Sequence, residues 1–233
     1  MTTSTDPAAL YRLMAWLSPA FPTGGFSYSH GIEYAVEAGL VTDRTTALDW
    51  IAGVLRLGAG RSDAQLFALT YRAAEANDEK ALLETAELAA VLRGTAELAL
   101  ESHAQGQAFL LAVERAWPAP RLAHWSAILK ANAIAPSLPV SVALAALAHG
   151  IPMEPALAGF IQSFAAALVS AAVRLIPLGQ SDGLSILAAL EPYVRDAVSQ
   201  DLAATLDTVG SAAPMVDWCS MRHETQYTRL FRS

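Results

Sequence analysis

Two stretches hold most of the side chains in this chain that could do acid–base, nucleophilic or metal chemistry. In "SPAFPTGGFSYSHGIEYAVEAG", residues 18–39, His30, Glu33 and Glu37 stand at i, i+3 and i+7. A helix lines such positions along one side, which offers an imidazole and two carboxylates to a proton or a cation. Ser27 and Ser29 flank the same histidine. In "SMRHETQYTRLFRS", residues 220–233, His223 stands beside Glu224 and four residues after Cys219.

Most templates for that chemistry fail. Adjacent serines and a histidine form no catalytic triad without a third group, and none is marked. Neither G-x-S-x-G nor the phosphate-binding G-x-x-x-x-G-K-[ST] occurs, so no catalytic residue is assigned and nucleotide binding in P-loop fashion is not expected. Thr225, Gln226 and Tyr227 follow His223 where H-E-x-x-H needs a second histidine. Neither stretch supplies the several nitrogen or sulfur ligands of a tight transition-metal site. Weak coordination by His30 or His223, shared across a dimer, is the metal chemistry left open. No cofactor is expected. His103, His124 and His149 read as ordinary helix residues.

Composition narrows the partners. The 233 residues carry a formal charge of −7, against the clustered Lys and Arg that nucleic acid requires. Cys219 is the single cysteine, which excludes an intramolecular disulfide and fits a reducing compartment; it reads as a small buried or interface residue. "MTTSTDPAALYRLM" lacks the basic and apolar regions of a signal peptide, so a cytoplasmic location is expected. The apolar run 156–179 nears the length of a membrane span, but Gln162, Ser163 and Arg174 mark it as a buried helix of a bundle. No membrane association is expected.

The elements that must position the two stretches are helices throughout. Leu48, Ile51, Val54 and Leu55 share one helical face, with Thr46 and Asp49 as a candidate capping pair. Ser62-x-x-Gln65 suggests the start of another helix, and 78–102 reads as one helix interrupted weakly at Gly94. Further helices are expected over 105–116, 121–133, 140–150, 155–176 and 181–206, the last kinked near Pro192. The expectation is one all-α domain over 1–233, a helical bundle of roughly eight to eleven helices, with residues 1–7 flexible.

Within this frame the two stretches read as surfaces. Pro19, Pro22, Gly24 and Gly25 make a rigid turn, after which Ser27 or Ser29 can cap a helix running to about residue 38. Ile32, Val36 and Leu40 then face the core, leaving His30, Glu33 and Glu37 outward. Two glutamates at i, i+4 cost about 0.2–0.5 kcal/mol in a bare helix, so a partner or cation there has something to offset. The tail, taken as a helix, puts His223, Tyr227, Leu230 and Phe231 on one stripe and Arg222, Thr225, Arg229 and Arg232 on another face. Tyr, Phe and Arg favour protein interfaces, and 220–233 is expected to dock on a partner, the alternative being that the tail packs on its own domain.

Residues 17–41 and 220–233 resemble the two hallmark regions of the urease accessory protein UreF family. The resemblance implies an all-helical, dimeric, non-enzymatic protein that forms a complex with UreD (UreH in some organisms). It implies recruitment and regulation of the GTPase UreG, and nickel delivery to the urease apoprotein. The absent P-loop fits a division of labour in which UreG carries the nucleotide. On this reading Arg222, His223, Glu224, Tyr227, Arg229, Leu230, Phe231 and Arg232 bind a partner. Phe26, Ser27, Tyr28, His30, Glu33 and Glu37 form a second partner surface or an ion path. The alternative is a metallochaperone that binds nickel directly and hands it on.

Overall fold

Helix α8 (Leu138–Ala148) organises the molecule because it is apolar on every side: every residue from Pro139 to Leu147 is buried. A helix with no polar face must be surrounded, and α4 (Ala59–Glu75), α6 (Ala96–Ala116), α7 (Pro120–Ala131) and α9 (Met153–Leu175) pack around it. The computed structural model describes residues 6–233. Among these are eleven α-helices, two short 3-10 turns and no strand. The remaining helices are α1 (Pro7–Trp16), α2 (Ile32–Glu37), α3 (Arg44–Leu57), α5 (Glu79–Val91), α10 (Gln180–Asp201) and α11 (Pro214–His223). One hydrophobic cluster runs from Ala9 to Cys219, so the all-α bundle has a single core. Asp6 caps α1 and Pro7 opens it, so the flexibility expected over 1–7 otherwise falls outside the described residues.

Several boundaries differ from the sequence expectation, each for a local reason. The segment 78–102 is two helices: α5 stops at Val91 and α6 begins after Thr95, whose hydroxyl accepts from the Leu98 N–H. The break gives Arg93 a non-helical position from which it reaches the buried Asp63 and Ser102. α6 then runs unbroken to Ala116, absorbing the helix expected over 105–116. The capping box of α3 is Asp43 with Thr46, three residues earlier than read, and Ser62 lies inside α4. Helix α9 is long and apolar enough to cross a membrane by length and composition; half of its most apolar window is buried in this fold. Pro192 sits within α10 without ending it.

Cys219 lies on the buried side of α11 and is fully enclosed. Burial pushes its thiol up to about 11, and the thiolate is the reactive form. Folded protein at pH 8 should therefore stay unlabelled by iodoacetamide for hours. Its alkylation rate should keep climbing towards pH 11, while denaturant exposes one thiol at once. Rapid labelling of native protein at pH 8 would contradict this.

Candidate functional site

The two chemistry-bearing stretches meet. A left-handed Gly24 (φ +74°) leads into the 3-10 turn Gly25–Ser27, and a second left-handed pair, His30 and Gly31, precedes α2. At Gly31 a Cβ would lie 3.3 Å from both the Ser220 nitrogen and the Val216 oxygen of α11, so glycine lets the two helices touch. Gly31, not Ser27 or Ser29, takes the N-cap position of α2, although the Ser29 hydroxyl accepts from the Glu33 N–H. The side chains' direction differs as well: His30 and Glu33 are buried, and Glu37 alone of the three is exposed. The helix is a single short turn and a half whose carboxylate faces inward because the tail lies over it.

His223 occupies the centre and is fully buried. Its Nε2 is 3.0 Å from Glu33 Oε2 and its Nδ1 2.7 Å from Glu97 Oε2. A carboxylate only accepts, so both contacts are hydrogen bonds when both ring nitrogens carry protons. Glu33 also accepts from the backbone N–H groups of Leu230 (2.6 Å) and Phe231 (2.9 Å). Glu97 accepts from Arg229 at 2.7 Å. Glu33 and Glu97 thus collect an imidazole ring, a guanidinium and two amides. Charge-assisted bonds of this kind are shorter and roughly twice as strong as neutral ones.

The tail continues the pattern without a helix. α11 ends at His223, and residues 224–233 run on as turns and bends, so the stripe of His223, Tyr227, Leu230 and Phe231 does not form. Backbone bonds tie the tail to the motif instead: the Arg232 N–H donates to the Ser27 carbonyl at 2.7 Å and Ser29 N–H to the Ser233 carbonyl at 2.9 Å. The Ser233 hydroxyl donates to Glu101 at 2.8 Å. Phe231 is buried with the Arg174 guanidinium 4.2 Å over its ring. Arg222 donates to the Tyr34 hydroxyl, and Gln226 bonds Glu37.

The site residues named from sequence therefore divide. His223, Phe231, Tyr28, His30 and Glu33 are internal, and Ser27 is half-buried behind the tail. Tyr227 is fully exposed, Leu230 is 64% exposed and Phe26 71%. Arg222, Glu224, Arg229, Arg232 and Glu37 are also exposed, although Arg229 and Glu37 engage the partners named above. On α11, Met215, Trp218 and Met221 are further exposed apolar side chains. Sequence reasoning missed Glu97 and Glu101. The signal available was two like charges one turn apart on the otherwise apolar start of α6, the same i, i+4 pattern noticed at Glu33 and Glu37.

Further in, Asp63 pairs with Arg93, and burial holds the Asp63 carboxyl above its ordinary range against the pull of that guanidinium. His30 Nδ1 lies 3.4 Å from Glu101 Oε2 without the alignment of a hydrogen bond. Among the described residues no group of three or more His, Cys, Asp or Glu side chains is arranged to hold a metal ion.

Fold and site together define a helical protein whose acid–base side chains bind one another, fastening two distant segments into one unit. The chain belongs to the UreF family of urease accessory proteins. The family model matches residues 41–191. The urease accessory protein UreF of Granulibacter bethesdensis is 50% identical, spanning 100% of this chain and 97% of its own. Those of Bradyrhizobium diazoefficiens (48%; 98% and 93%) and Magnetococcus marinus (46%; 97% and 98%) agree. The family-model match begins at the last residue of the first motif and ends before the second, whereas these relatives extend over nearly the whole length.

Proposed function

We propose that this chain is a non-catalytic urease maturation factor, a cytoplasmic homodimer that joins UreD/UreH to recruit and regulate the GTPase UreG for nickel insertion into apo-urease. The observation that carries the reading is the exposure of Tyr227 and Leu230 on a segment whose flanks, His223 and Phe231, are locked into the core. A side chain presented on a pre-ordered backbone loses little conformational freedom on docking, which is how affinity is gained without extra area. Trp218, Met215 and Met221 on α11 are exposed as well, and exposed large apolar side chains are the kind that interaction sites use. Arg222 and Arg232 supply the rim charge. The absence of a P-loop motif leaves the nucleotide to the partner.

Direct carriage of nickel is supported less well, because carboxylates already occupy both ring nitrogens of His223. Removing residues 222–233 would be a poor test of docking, since it also strips Glu33 and Glu97 of their partners. The sharper test is Tyr227→Ala with Leu230→Ala. Both side chains are exposed, so stability should change by no more than about 0.5 kcal/mol. Affinity for purified UreD/UreH should fall by about 30-fold or more, the effect of losing interface anchors. Unchanged binding in a calorimetric titration would move the docking surface elsewhere.

A further inference from the structure

Helix α10 packs inward on α9, α3 and α4 and turns its other face to solvent. Between α9 and α10 runs an open groove of about 830 Å³, lined by Ala158, Leu187 and Val194, where Leu184 stands 68% exposed. The charges in this groove are Glu154 on α9 and Glu191 and Arg195 on α10. Among the described residues none of the three takes part in an ion pair, although Glu191 and Arg195 are one turn apart and both exposed. Pro192 lies between them and has no N–H, so the carbonyl of Ala188, in the same groove, lacks its helical donor.

We infer that this face of α10 is the contact between two copies of the chain, paired antiparallel across a two-fold axis beside Tyr193. A two-fold contact uses the same patch on both copies, so the patch must complement itself. Glu191 and Arg195 stand two residues to either side of Tyr193. The axis therefore sets Glu191 of each copy against Arg195 of the other, twice over. The same guanidinium comes within a turn of the Ala188 carbonyl, a second acceptor. Two copies that each carry a formal charge of −7 repel at long range. A strip that joins acid to base across an apolar groove is what lets them meet. α10 has 22 residues, a length of about 33 Å, which suits an interface of ordinary size. This contact rests on the homodimer proposed above and gives it a surface built from residues other than Tyr227 and Leu230.

Reversing the charges one at a time tests the pairing by sedimentation velocity on the full-length chain. The native chain should sediment as a dimer at micromolar concentration. Glu191→Arg alone and Arg195→Glu alone should each weaken dimerisation by about 100-fold or more, because each sets like charges face to face. Mixed in equal amounts, the two variants should regain a dimer, since each copy then offers the sign that the other lacks. The double variant with both changes should dimerise by itself. Should a reversed charge prevent folding, Leu184→Ser at its exposed position should still weaken the dimer about tenfold or more. A native chain that is monomeric would overturn this contact together with the homodimer. A native dimer that all the variants retain would overturn the contact and leave the homodimer standing. Variants that fold as monomers and stay monomeric on mixing would overturn the antiparallel pairing. Loss of purified UreD/UreH binding in Leu184→Ser, with the dimer intact, would give the groove to that partner and likewise overturn the assignment.

Discussion

Replacing His223 by phenylalanine should destabilise the protein by about 3–5 kcal/mol, the loss expected when one member of a buried charge network is removed. An aromatic ring is kept, so the loss is that of the polar contacts: Glu33 and Glu97 are left buried without the imidazole that both engage. For a chain of this size that is a fall in melting temperature of about 6–20 °C. The tail amides between 224 and 233 should also exchange faster with deuterium. Adding Glu97→Gln removes one of the stranded charges and should recover part of the loss, because neighbours in one network are not additive. A single-variant loss below about 1 kcal/mol, measured by urea unfolding, would mean that water reaches the cluster and screens it.

The second large effect belongs to Gly106, in the middle of α6. A Cβ there would come within 2.4 Å of the Pro136 oxygen, 2.5 Å of the Ser137 carbonyl carbon and 2.7 Å of the Leu138 nitrogen. All three are backbone atoms at the start of α8, so no flexible side chain can move aside. Gly106→Val should cost about 3 kcal/mol, the upper part of the range for overpacking, even though valine is the better helix former by a few tenths of a kcal/mol. Gly53 in α3 provides the contrast, since nothing lies within 4 Å of its Cβ position. Gly53→Ala should stabilise by about 0.5–1 kcal/mol. Equal effects at the two positions in thermal unfolding would contradict the close approach of α6 and α8.

The helical architecture was legible because periodic leucine and alanine faces, punctuated by Pro118, Pro120, Pro139 and Pro177, admit no other reading. The division at Arg93 and Gly94 was not, since its cause is a buried carboxylate on α4 that Arg93 leaves the helix to meet. The two hallmark stretches were visible as unusual, but the N-cap of α2 is Gly31 rather than Ser27 or Ser29. The inward turn of Glu33 was hidden: at i, i+3, i+7 the spacing fixes a shared face but not which way that face looks. Its direction comes from residues about 190 positions later, with His223, Leu230 and Phe231 all converging on one carboxylate. A tail drawn as a helix displays its aromatic residues on one stripe. A tail drawn through backbone bonds to residues 27–29 buries Phe231 and leaves Tyr227 outside.

The joining of Ser29 to Ser233, across 204 positions, has a consequence for how the molecule is made. Closing so large a loop carries a heavy entropic cost, and contacts of long sequence separation form late in folding. The bundle can assemble around α8 from nearer neighbours, while Glu33, Glu97 and Glu101 wait as uncompensated acids for the far segment to arrive. A chain still being synthesised therefore has a core before it has a finished surface at this end. The presentation of Tyr227 and Leu230 is a late event, so anything that reads that surface also reads whether folding has been completed.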